Sequence, residues 1–399
     1  MRVIRPERTP GPLVTVVVTV IVALAAMGLP GCGDADRFYL TPDGLRDGQA
    51  GSLLRSESMF VPGAGQRGWR ILYQSTGLDG RPVAVSGSFV RPSGPAPAGG
   101  FPLISYAHPT VGIADACAPS KRDDTGVLTS RAVAAGFAVV LTDYQGLGTA
   151  GVHPYLIGES EGRSVLDAAR AVRTLGGAEV GDQLGVWGYS QGGHAAMFAA
   201  QIASSYAPDL NLFGTVSVAG VASDHWVADV LRRPDLYALG VMAAVSWAAN
   251  ADPGTGEVLH AEDVLGPIGR DATPRLLGTD VDRPAVCSDL GGIGIGHSSA
   301  ELINADPSTL PAWRAALDRV AVGGAAPSAP LLVISGTSDD LVPPSEAEFA
   351  RRRYCARGAD VEVRAVPGAN HLTIMDTALD VGLTWMVGRL SGAATTSSC

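Results

Sequence analysis

The chain has 399 residues, of which 46% are hydrophobic and 17% charged, so it can bury a large core. Its formal net charge is -10, and its basic residues are scattered apart from a triplet at 351–353. This distribution excludes a basic stripe of the kind that binds nucleic acid, and we expect no nucleic-acid partner.

Residues 1–31 are predicted to form an export signal. Three arginines lie within the first eight residues, an uncharged apolar run covers 13–29, and Leu29-Pro30-Gly31-Cys32 ends it. The pattern resembles a lipoprotein signal, which would be cleaved before Cys32 and leave a lipid anchor to the membrane on that cysteine. A retained transmembrane anchor is an alternative because the run reaches the lower edge of a bilayer span, and plain secretion is another. Each interpretation exports the protein to the cell envelope or beyond.

Export makes disulfide bonds possible. Apart from Cys32, the chain has four cysteines, an even number for an oxidising compartment: Cys117, Cys287, Cys355 and Cys399. Four cysteines permit three pairings, and their spacing does not choose among them. No cysteines or histidines have the spacing of metal ligands, so no metal site is expected.

The periodicity predicts an α/β domain. Residues 32–66 lack regular periodicity, which indicates a tether followed by a segment wrapped onto the domain, and the first part of the core spans 67–221. Strands are predicted at 69–73, 83–90, 103–107, 137–142, 184–187 and 215–219, and helices at 127–135, 159–175 and 193–200. Alternating strands and helices predict βαβ units around a mostly parallel sheet flanked by helices.

The alternation stops at about residue 222. Residues 222–322 contain helical segments, such as 226–231 and 238–248, and no evident strand. The alternation of strands and helices resumes in 323–399, with strands at 331–335 and 361–366 and a last helix at 372–390. A helical insertion between two sheet strands predicts a cap over an active site.

The pentapeptide Gly188-Tyr189-Ser190-Gln191-Gly192 lies between a short apolar strand and an alanine-rich helix. G-x-S-x-G in this context is typical of a nucleophile elbow, in which a sharp turn holds the serine in the open beside a base. We therefore predict Ser190 as the nucleophile, with the two glycines providing room for the strand and helix.

An acid and a base follow later strands. In an α/β-hydrolase the triad residues come in the order Ser, Asp or Glu, His, each after a strand. Asp339 and Asp340 follow the strand at 331–335, and His371 follows the strand at 361–366. His371 is predicted to take the proton from Ser190, while the aspartate fixes the tautomer of His371. We choose Asp339 because related hydrolases with the pattern G-x-x-D-x-x-V-P carry the acid there, which leaves Asp340 as a turn carboxylate.

Stabilising the oxyanion requires two N–H donors. Gln191 is the predicted first donor because it follows the nucleophile, and the loop at 108–112 should supply the second. Pro109 has no N–H, so Thr110 is predicted as the second donor, through its backbone and also its hydroxyl, with Gly112 as the alternative. His108 is expected to support this loop.

The other histidines are interpreted as structural. His194 lies next to the elbow, but we expect it to point elsewhere. His225 follows Asp224 as in a dyad, yet it lies at the entrance to the cap rather than after a late strand.

Several further segments carry a family resemblance: Cys117–Ser120, Thr142–Gly148, His153–Leu156 and Gly158–Arg163, together with the elbow and the Asp339 and His371 loops. They resemble the secretory lipases of the α/β-hydrolase fold, which include lipase A-type fungal enzymes and actinobacterial relatives. The resemblance implies hydrolysis of triacylglycerols or other acyl esters, no cofactor, and a cap that shapes the acyl pocket. It also implies bridges between Cys117 and Cys287 and between Cys355 and Cys399.

Two other functions compete with ester hydrolysis. A serine peptidase would use the same acyl-enzyme route. Such enzymes usually add a propeller domain or acidic residues that bind the amine of the substrate, and neither feature is evident in this sequence. A non-catalytic envelope lipoprotein on the same scaffold is the other alternative. All three triad residue types are in place, which favours an enzyme.

Overall fold

The structure is a computed structural model that describes residues 37–250, 258–287 and 292–399. The predicted signal segment and Cys32 lie outside these ranges. The chain divides into two compact units, Met1–Leu40 and Thr41–Cys399, and the second unit contains every strand of the described sheet. Within the described ranges, no helix combines the length and apolar character needed to cross a bilayer.

A nine-stranded sheet forms the centre of the second unit, in the order β1-β2-β3-β5-β4-β6-β7-β8-β9. The strands are β1 Leu53–Met59, β2 Gln66–Thr76, β3 Pro82–Pro92, β4 Phe101–Ala107, β5 Ala138–Thr142, β6 Val180–Tyr189, β7 Asn211–Val218, β8 Leu331–Gly336 and β9 Val361–Val366. The pairs β1–β2, β2–β3 and β3–β5 are antiparallel, and the remaining five are parallel. The predicted mostly parallel sheet is confirmed.

Helices cover both faces of this sheet. The α-helices of the described ranges are α1 Gly126–Ala134, α2 Gly158–Arg173, α3 Gln191–Tyr206, α4 Trp226–Leu231, α5 Tyr237–Ala249, α6 Ala261–Val264, α7 Pro267–Leu277, α8 Ser299–Leu302, α9 Pro311–Val320, α10 Pro344–Cys355 and α11 Ile374–Leu390. Successive side chains of a strand point to opposite faces. In β6, Val186 packs in one core cluster with α2 and α3, whereas Trp187 packs in another with α1 and α11. The central strands are therefore buried on both faces, which explains their continuous apolar sequences.

Helices α4–α9 lie between β7 and β8 along the chain, in the segment predicted to form the cap. Their apolar side chains form most of one core cluster, which also includes residues from loops outside this segment, such as Tyr155 and Val342. Its buried members from the helical segment include Trp226, Tyr237, Met242, Leu265 and Trp313. The β-structure recorded between β7 and β8 in the described residues is a single antiparallel bridge, Leu265 to Ile303. A bridge this short leaves no periodicity in the sequence.

One strand lies in a segment for which the periodicity predicts no regular structure. β1 lies within 32–66 and pairs with β2 along one side only. All of its residues are half-buried or exposed. An edge strand with no fully buried face need not alternate between apolar and polar residues, so hydrophobic periodicity does not reveal it.

The structure contains both bridges that the resemblance implies. Cys117 is bonded to Cys287, which joins the segment after β4 to the segment after α7. Cys355, at the end of α10, is bonded to the C-terminal Cys399. The second bridge holds the tail against the edge strand β9, where Ser398 donates its N–H to the Val361 carbonyl at 2.7 Å. The tail thus covers part of an edge that would otherwise offer unpaired backbone groups.

Candidate active site

The candidate site begins at the junction of β6 and α3. Ser190 lies between them with φ 57° and ψ -119°, a positive φ that a residue with a side chain seldom adopts. Its N–H donates to the Val218 carbonyl at 2.9 Å, which ties the turn to the neighbouring strand β7. Surrounding structure must maintain a backbone conformation of this kind, and such conformations cluster at functional sites.

The two glycines of the pentapeptide allow this turn because backbone atoms occupy the positions of their missing side chains. A Cβ on Gly188 would lie 1.8 Å from the Gly192 carbonyl oxygen. A Cβ on Gly192 would lie 1.9 Å from the carbonyl oxygen of Ala107, at the end of β4. Glycine at 188 therefore allows the tight turn between β6 and α3, and glycine at 192 allows α3 to approach β4 this closely.

The structure brings Ser190, His371 and Asp339 together. The Nε2 atom of His371 lies 3.0 Å from Ser190 Oγ, and its Nδ1 atom lies 2.8 Å from Asp339 Oδ2. Ser190 follows β6, Asp339 follows β8 and His371 follows β9, and these strands run parallel through β7. Parallel strands end at the same edge of a sheet, so residues far apart in sequence meet there.

Asp339 rather than Asp340 faces the histidine. The Asp339 side chain is fully buried, and its Oδ1 atom accepts the N–H groups of Leu341 and Val342 at 3.0 and 2.9 Å. These bonds leave Oδ2 for His371. Asp340 is exposed, and its backbone carbonyl accepts a hydrogen bond from Arg233, between α4 and α5.

The predicted oxyanion residues Gln191 and Thr110 line the same cavity as Ser190. Gln191 is the first residue of α3, and the first N–H groups of an α-helix have no partner within the helix. The Thr110 hydroxyl lies 2.9 Å from the Tyr155 hydroxyl. Gly112, the alternative to Thr110, instead adjoins the disulfide, because a Cβ there would lie 2.8 Å from Cys117 Sγ.

Segments that carry the family resemblance support the loop bearing Thr110. The buried carboxylate of Asp143 accepts the Ser120 N–H at 2.9 Å and the Ser86 hydroxyl at 2.6 Å. Next to it, the Tyr144 hydroxyl donates to the His108 carbonyl at 3.0 Å. Burial raises the pKa of Asp143, and the hydrogen bonds from Ser120 and Ser86 oppose that rise. The Tyr144 contact fixes the backbone of His108, the first residue of this loop, and the supporting role of His108 stays a prediction.

The cavity is largely apolar. It has a volume of about 350 Å³ and contains the side chains of Ser190 and His371. Its apolar lining includes side chains from the segment after β7, from the helices that follow and from the acid loop: Val221, Trp226, Leu236, Leu239 and Leu341. A group bound beside Ser190 would meet hydrocarbon on most sides, which suits an acyl chain.

The other histidines have different partners. His194 is fully buried, with its ring nitrogens 2.8 Å from Glu161 Oε2 and 3.1 Å from the Val320 carbonyl. His225 is exposed beside Asp224 and Glu346, and the structure does not bring it to Ser190. Neither contacts the Ser190 hydroxyl, in line with the structural interpretation.

Sequence reasoning missed two residues next to the elbow, Glu161 and His153. Both are fully buried, and both contact the side chain of Gln191 at 2.8 Å. One signal was available for Glu161, because its position on α2 lies among buried small and apolar residues, where a charged residue needs a partner. Both residues also lie in segments that carry the family resemblance, His153–Leu156 and Gly158–Arg163, but the resemblance gave neither of them a role at the elbow.

No group of three or more metal-ligating side chains is found in the part of the chain that the structure describes.

A mostly parallel sheet with serine, histidine and aspartate at its carboxyl edge is an α/β-hydrolase fold. Candida antarctica lipase A in its closed state superposes with a TM-score of 0.75 at 21% identity, over 93% of this chain and 89% of that one. An esterase from Xanthomonas oryzae that degrades rice cell walls gives 0.68 at 21% identity, over 86% and 100%. At these identities the superpositions show the fold.

The family follows from the sequence. The family model described as secretory lipase matches residues 122–254 and 312–398, together more than half of the chain. This chain therefore belongs to the secretory lipase family, as the sequence resemblance predicts. It is an exported hydrolase of the lipase/esterase class.

Relatives of this chain differ in their described activity. A secreted triacylglycerol lipase from Malassezia globosa is 26% identical over 395 residues, which cover 91% of this chain and 82% of that protein. A protein from Mycobacterium tuberculosis described as a probable inactive lipase is 28% identical over 382 residues, which cover 90% and 82%. Family membership therefore does not establish whether a member is active, and the active site of each protein must be considered separately.

The close approach at the elbow generates a prediction. Gly192→Ala should lower ester hydrolysis by about 100-fold, because the new Cβ must push α3 away from Ala107 and misplace Ser190. Turnover of a soluble p-nitrophenyl ester and the melting temperature would be measured together. Gly176→Ala is the matched control, since a Cβ there meets no atom within 4 Å. Equal turnover in the two variants would contradict this account of the elbow.

Proposed function

We propose that this protein hydrolyses carboxylic acyl esters through an acyl-enzyme on Ser190. The observation that carries the proposal is the continuous set of hydrogen bonds from Ser190 through His371 to the buried Asp339, at the wall of an apolar cavity. A serine hydroxyl becomes an effective nucleophile when a base lies within hydrogen-bond reach and a third group orients that base. The contacts of His371 with Ser190 and with Asp339 support both conditions.

In the first half of the reaction, Ser190 Oγ attacks the ester carbonyl carbon while His371 Nε2 takes its proton. Asp339 accepts the Nδ1–H of His371, keeps the ring in the required tautomer and stabilises the imidazolium that forms. The tetrahedral intermediate then collapses, and His371 returns the proton to the departing alcohol. In the second half, a water molecule activated by His371 attacks the acyl-enzyme, which releases the carboxylic acid and restores Ser190.

The backbone N–H of Gln191 and Thr110 are proposed to stabilise the oxyanion. A hydroxyl has one hydrogen and two acceptor lone pairs, so Tyr155 can donate to Thr110 Oγ1 and leave the Thr110 hydrogen for the oxyanion. Thr110→Val would remove this hydroxyl and keep the backbone N–H. A loss of turnover in that variant would therefore assign the role to the hydroxyl, and full turnover would assign it to the backbone.

The apolar lining favours esters with a hydrocarbon acyl group, and we propose triacylglycerols or other acyl esters as the substrate class. The description of the Malassezia globosa relative as a triacylglycerol lipase supports this choice. The contacts among Ser190, His371 and Asp339 support activity, and we propose that this chain is an active enzyme. No cofactor takes part in the proposed reaction.

We also propose that the exported protein is attached to the membrane by a lipid on Cys32. The motif at residues 29–32 supports this, although Cys32 lies outside the described residues. The intact mass of protein extracted from membranes would exceed that of the chain beginning at Cys32 by a diacylglyceryl group. The unmodified mass, or a chain that still carries residues 1–31, would contradict the proposal.

Ser190→Ala should abolish hydrolysis of p-nitrophenyl acyl esters and leave the fold intact, because it removes the nucleophile and adds no bulk. Turnover would be measured over a series of acyl-chain lengths, with peptide substrates as a control, and the melting temperature would report folding. Removing the triad serine of a serine hydrolase typically costs about 10⁶ in kcat. Unchanged turnover in this variant would exclude the proposed mechanism.

The two neighbouring aspartates provide a second test. Asp339→Asn should lower kcat by about 10⁴, because the amide favours the wrong tautomer of His371. Asp340→Asn should leave kcat within about twofold of wild type, because that side chain is exposed and only the backbone of Asp340 contacts Arg233. A larger loss in Asp340→Asn than in Asp339→Asn would reverse the assignment of the acid.

A further inference from the structure

The proposed mechanism does not use a set of buried polar side chains that lies against the elbow. The Gln191 amide nitrogen Nε2 is 2.8 Å from Glu161 Oε1, on α2, and 2.8 Å from His153 Nε2, in the loop before α2. Each of the three residues is at most 1% exposed. Hydrogen bonds between buried polar groups are strong in their low-dielectric surroundings, so these two contacts restrict the first residue of α3.

Each N–H donor of this set faces an acceptor, whereas the Gln191 Oε1 atom is buried without a hydrogen-bond partner among the described residues. His153 Nδ1 lies 2.9 Å from the Gln145 carbonyl, which can only accept, so Nδ1 carries the ring hydrogen and Nε2 accepts from Gln191. Burial lowers the pKa of His153 to about 4, which keeps the ring neutral near pH 7. The second amide hydrogen of Gln191 is directed to the Glu161 carboxylate. The opposite amide orientation would place Oε1 against that carboxylate and is disfavoured.

Glu161 contacts a second residue of the same helical turn. Its Oε2 atom lies 2.8 Å from Nδ1 of His194, and its Oε1 atom also accepts the Leu156 N–H at 3.0 Å. Gln191 and His194 are three residues apart and thus lie on one face of α3. One carboxylate on α2 therefore holds the first turn of α3 at two points.

We infer that Glu161 is a positioning residue for the oxyanion site, acting through the side chains of Gln191 and His194. Glu161 fixes the first turn of α3 so that the backbone N–H of Gln191 stays directed at the cavity. His153 also restrains Gln191, through its contact with the side-chain amide. The inference rests on the proposed function, in which this N–H stabilises the oxyanion. Donors set in place before reaction stabilise the transition state most, and a displacement of 1 Å can cost about 100-fold in rate.

A positioning role differs measurably from a purely structural one. A donor that acts on the oxyanion contributes to the transition state and little to the bound ester, so its misplacement lowers kcat and leaves KM nearly unchanged. A merely structural carboxylate would lower the melting temperature without this selective loss.

The test compares two substitutions at one position. Glu161→Met removes the acceptor and keeps an unbranched side chain, and we expect kcat for p-nitrophenyl butyrate to fall about 10- to 100-fold, with KM changed less than about threefold. Glu161→Gln retains an amide oxygen for Gln191, and its amide can donate to His194 Nδ1 while His194 Nε2–H donates to the Val320 carbonyl. We expect this variant to keep kcat within about threefold of wild type.

A tetrahedral analogue provides a second readout. Ser190 Oγ adds to the carbonyl carbon of a trifluoromethyl ketone while His371 takes the serine proton. The product carries an oxyanion and has no leaving group, so it stays at the tetrahedral stage. Its inhibition constant should rise in Glu161→Met by about the factor by which kcat falls. The matched control is Asp167→Asn, which alters another buried carboxylate on α2 whose partners are Ser75, Arg170 and Tyr206. The control should lose thermal stability and keep kcat and the inhibition constant.

Each outcome decides the inference. Equal kcat in Glu161→Met and Glu161→Gln, a loss confined to KM, or an unchanged inhibition constant would overturn it. If Glu161→Met does not fold, Gln191→Met replaces it, because this variant keeps the backbone N–H and removes both side-chain contacts; wild-type kcat there would also overturn the inference. Absence of ester hydrolysis in the wild-type protein would instead reject the proposed function.

Discussion

The close approach of α3 to β4 and β6 is the constraint on which the site depends. Backbone oxygens occupy the places where Gly188 and Gly192 would carry side chains, so strand and helix meet at a distance that no other residue allows. This contact forces Ser190 into a positive φ and leaves its hydroxyl beside His371. The strain of such a backbone costs on the order of 1–3 kcal/mol, and packing around the turn must compensate for it.

Buried polar groups around the elbow form part of that packing, and the carboxylates of Asp339 and Glu161 have hydrogen-bond partners. Asp339 accepts two backbone N–H groups as well as His371, and Glu161 contacts Gln191, His194 and the Leu156 N–H. An ionised group without a partner would be expensive in such surroundings. The same low-dielectric surroundings strengthen each hydrogen bond that is made, so the site is rigid where the chemistry needs fixed distances.

The helical segment between β7 and β8 contributes to the catalytic loops as well as to the cavity. Trp226 lines the cavity and donates from Nε1 to the Leu341 carbonyl at 2.9 Å, while Arg233 bonds to the Asp340 carbonyl. Both carbonyls belong to the loop that carries Asp339. The cavity wall and the acid loop are therefore linked, and a change in one would be transmitted to the other.

The sequence by itself determined the parallel sheet, the elbow and the order of Ser190, Asp339 and His371, because apolar strands and G-x-S-x-G are local patterns. It left β1 undetected, since an edge strand without a fully buried face carries little periodicity. Only the tertiary structure decided that Thr110 rather than Gly112 lines the cavity and that Glu161 and His153 contact the side chain of Gln191. These contacts join residues 30 or more positions apart in the chain, and no local pattern encodes which distant side chains meet when strands and helices pack.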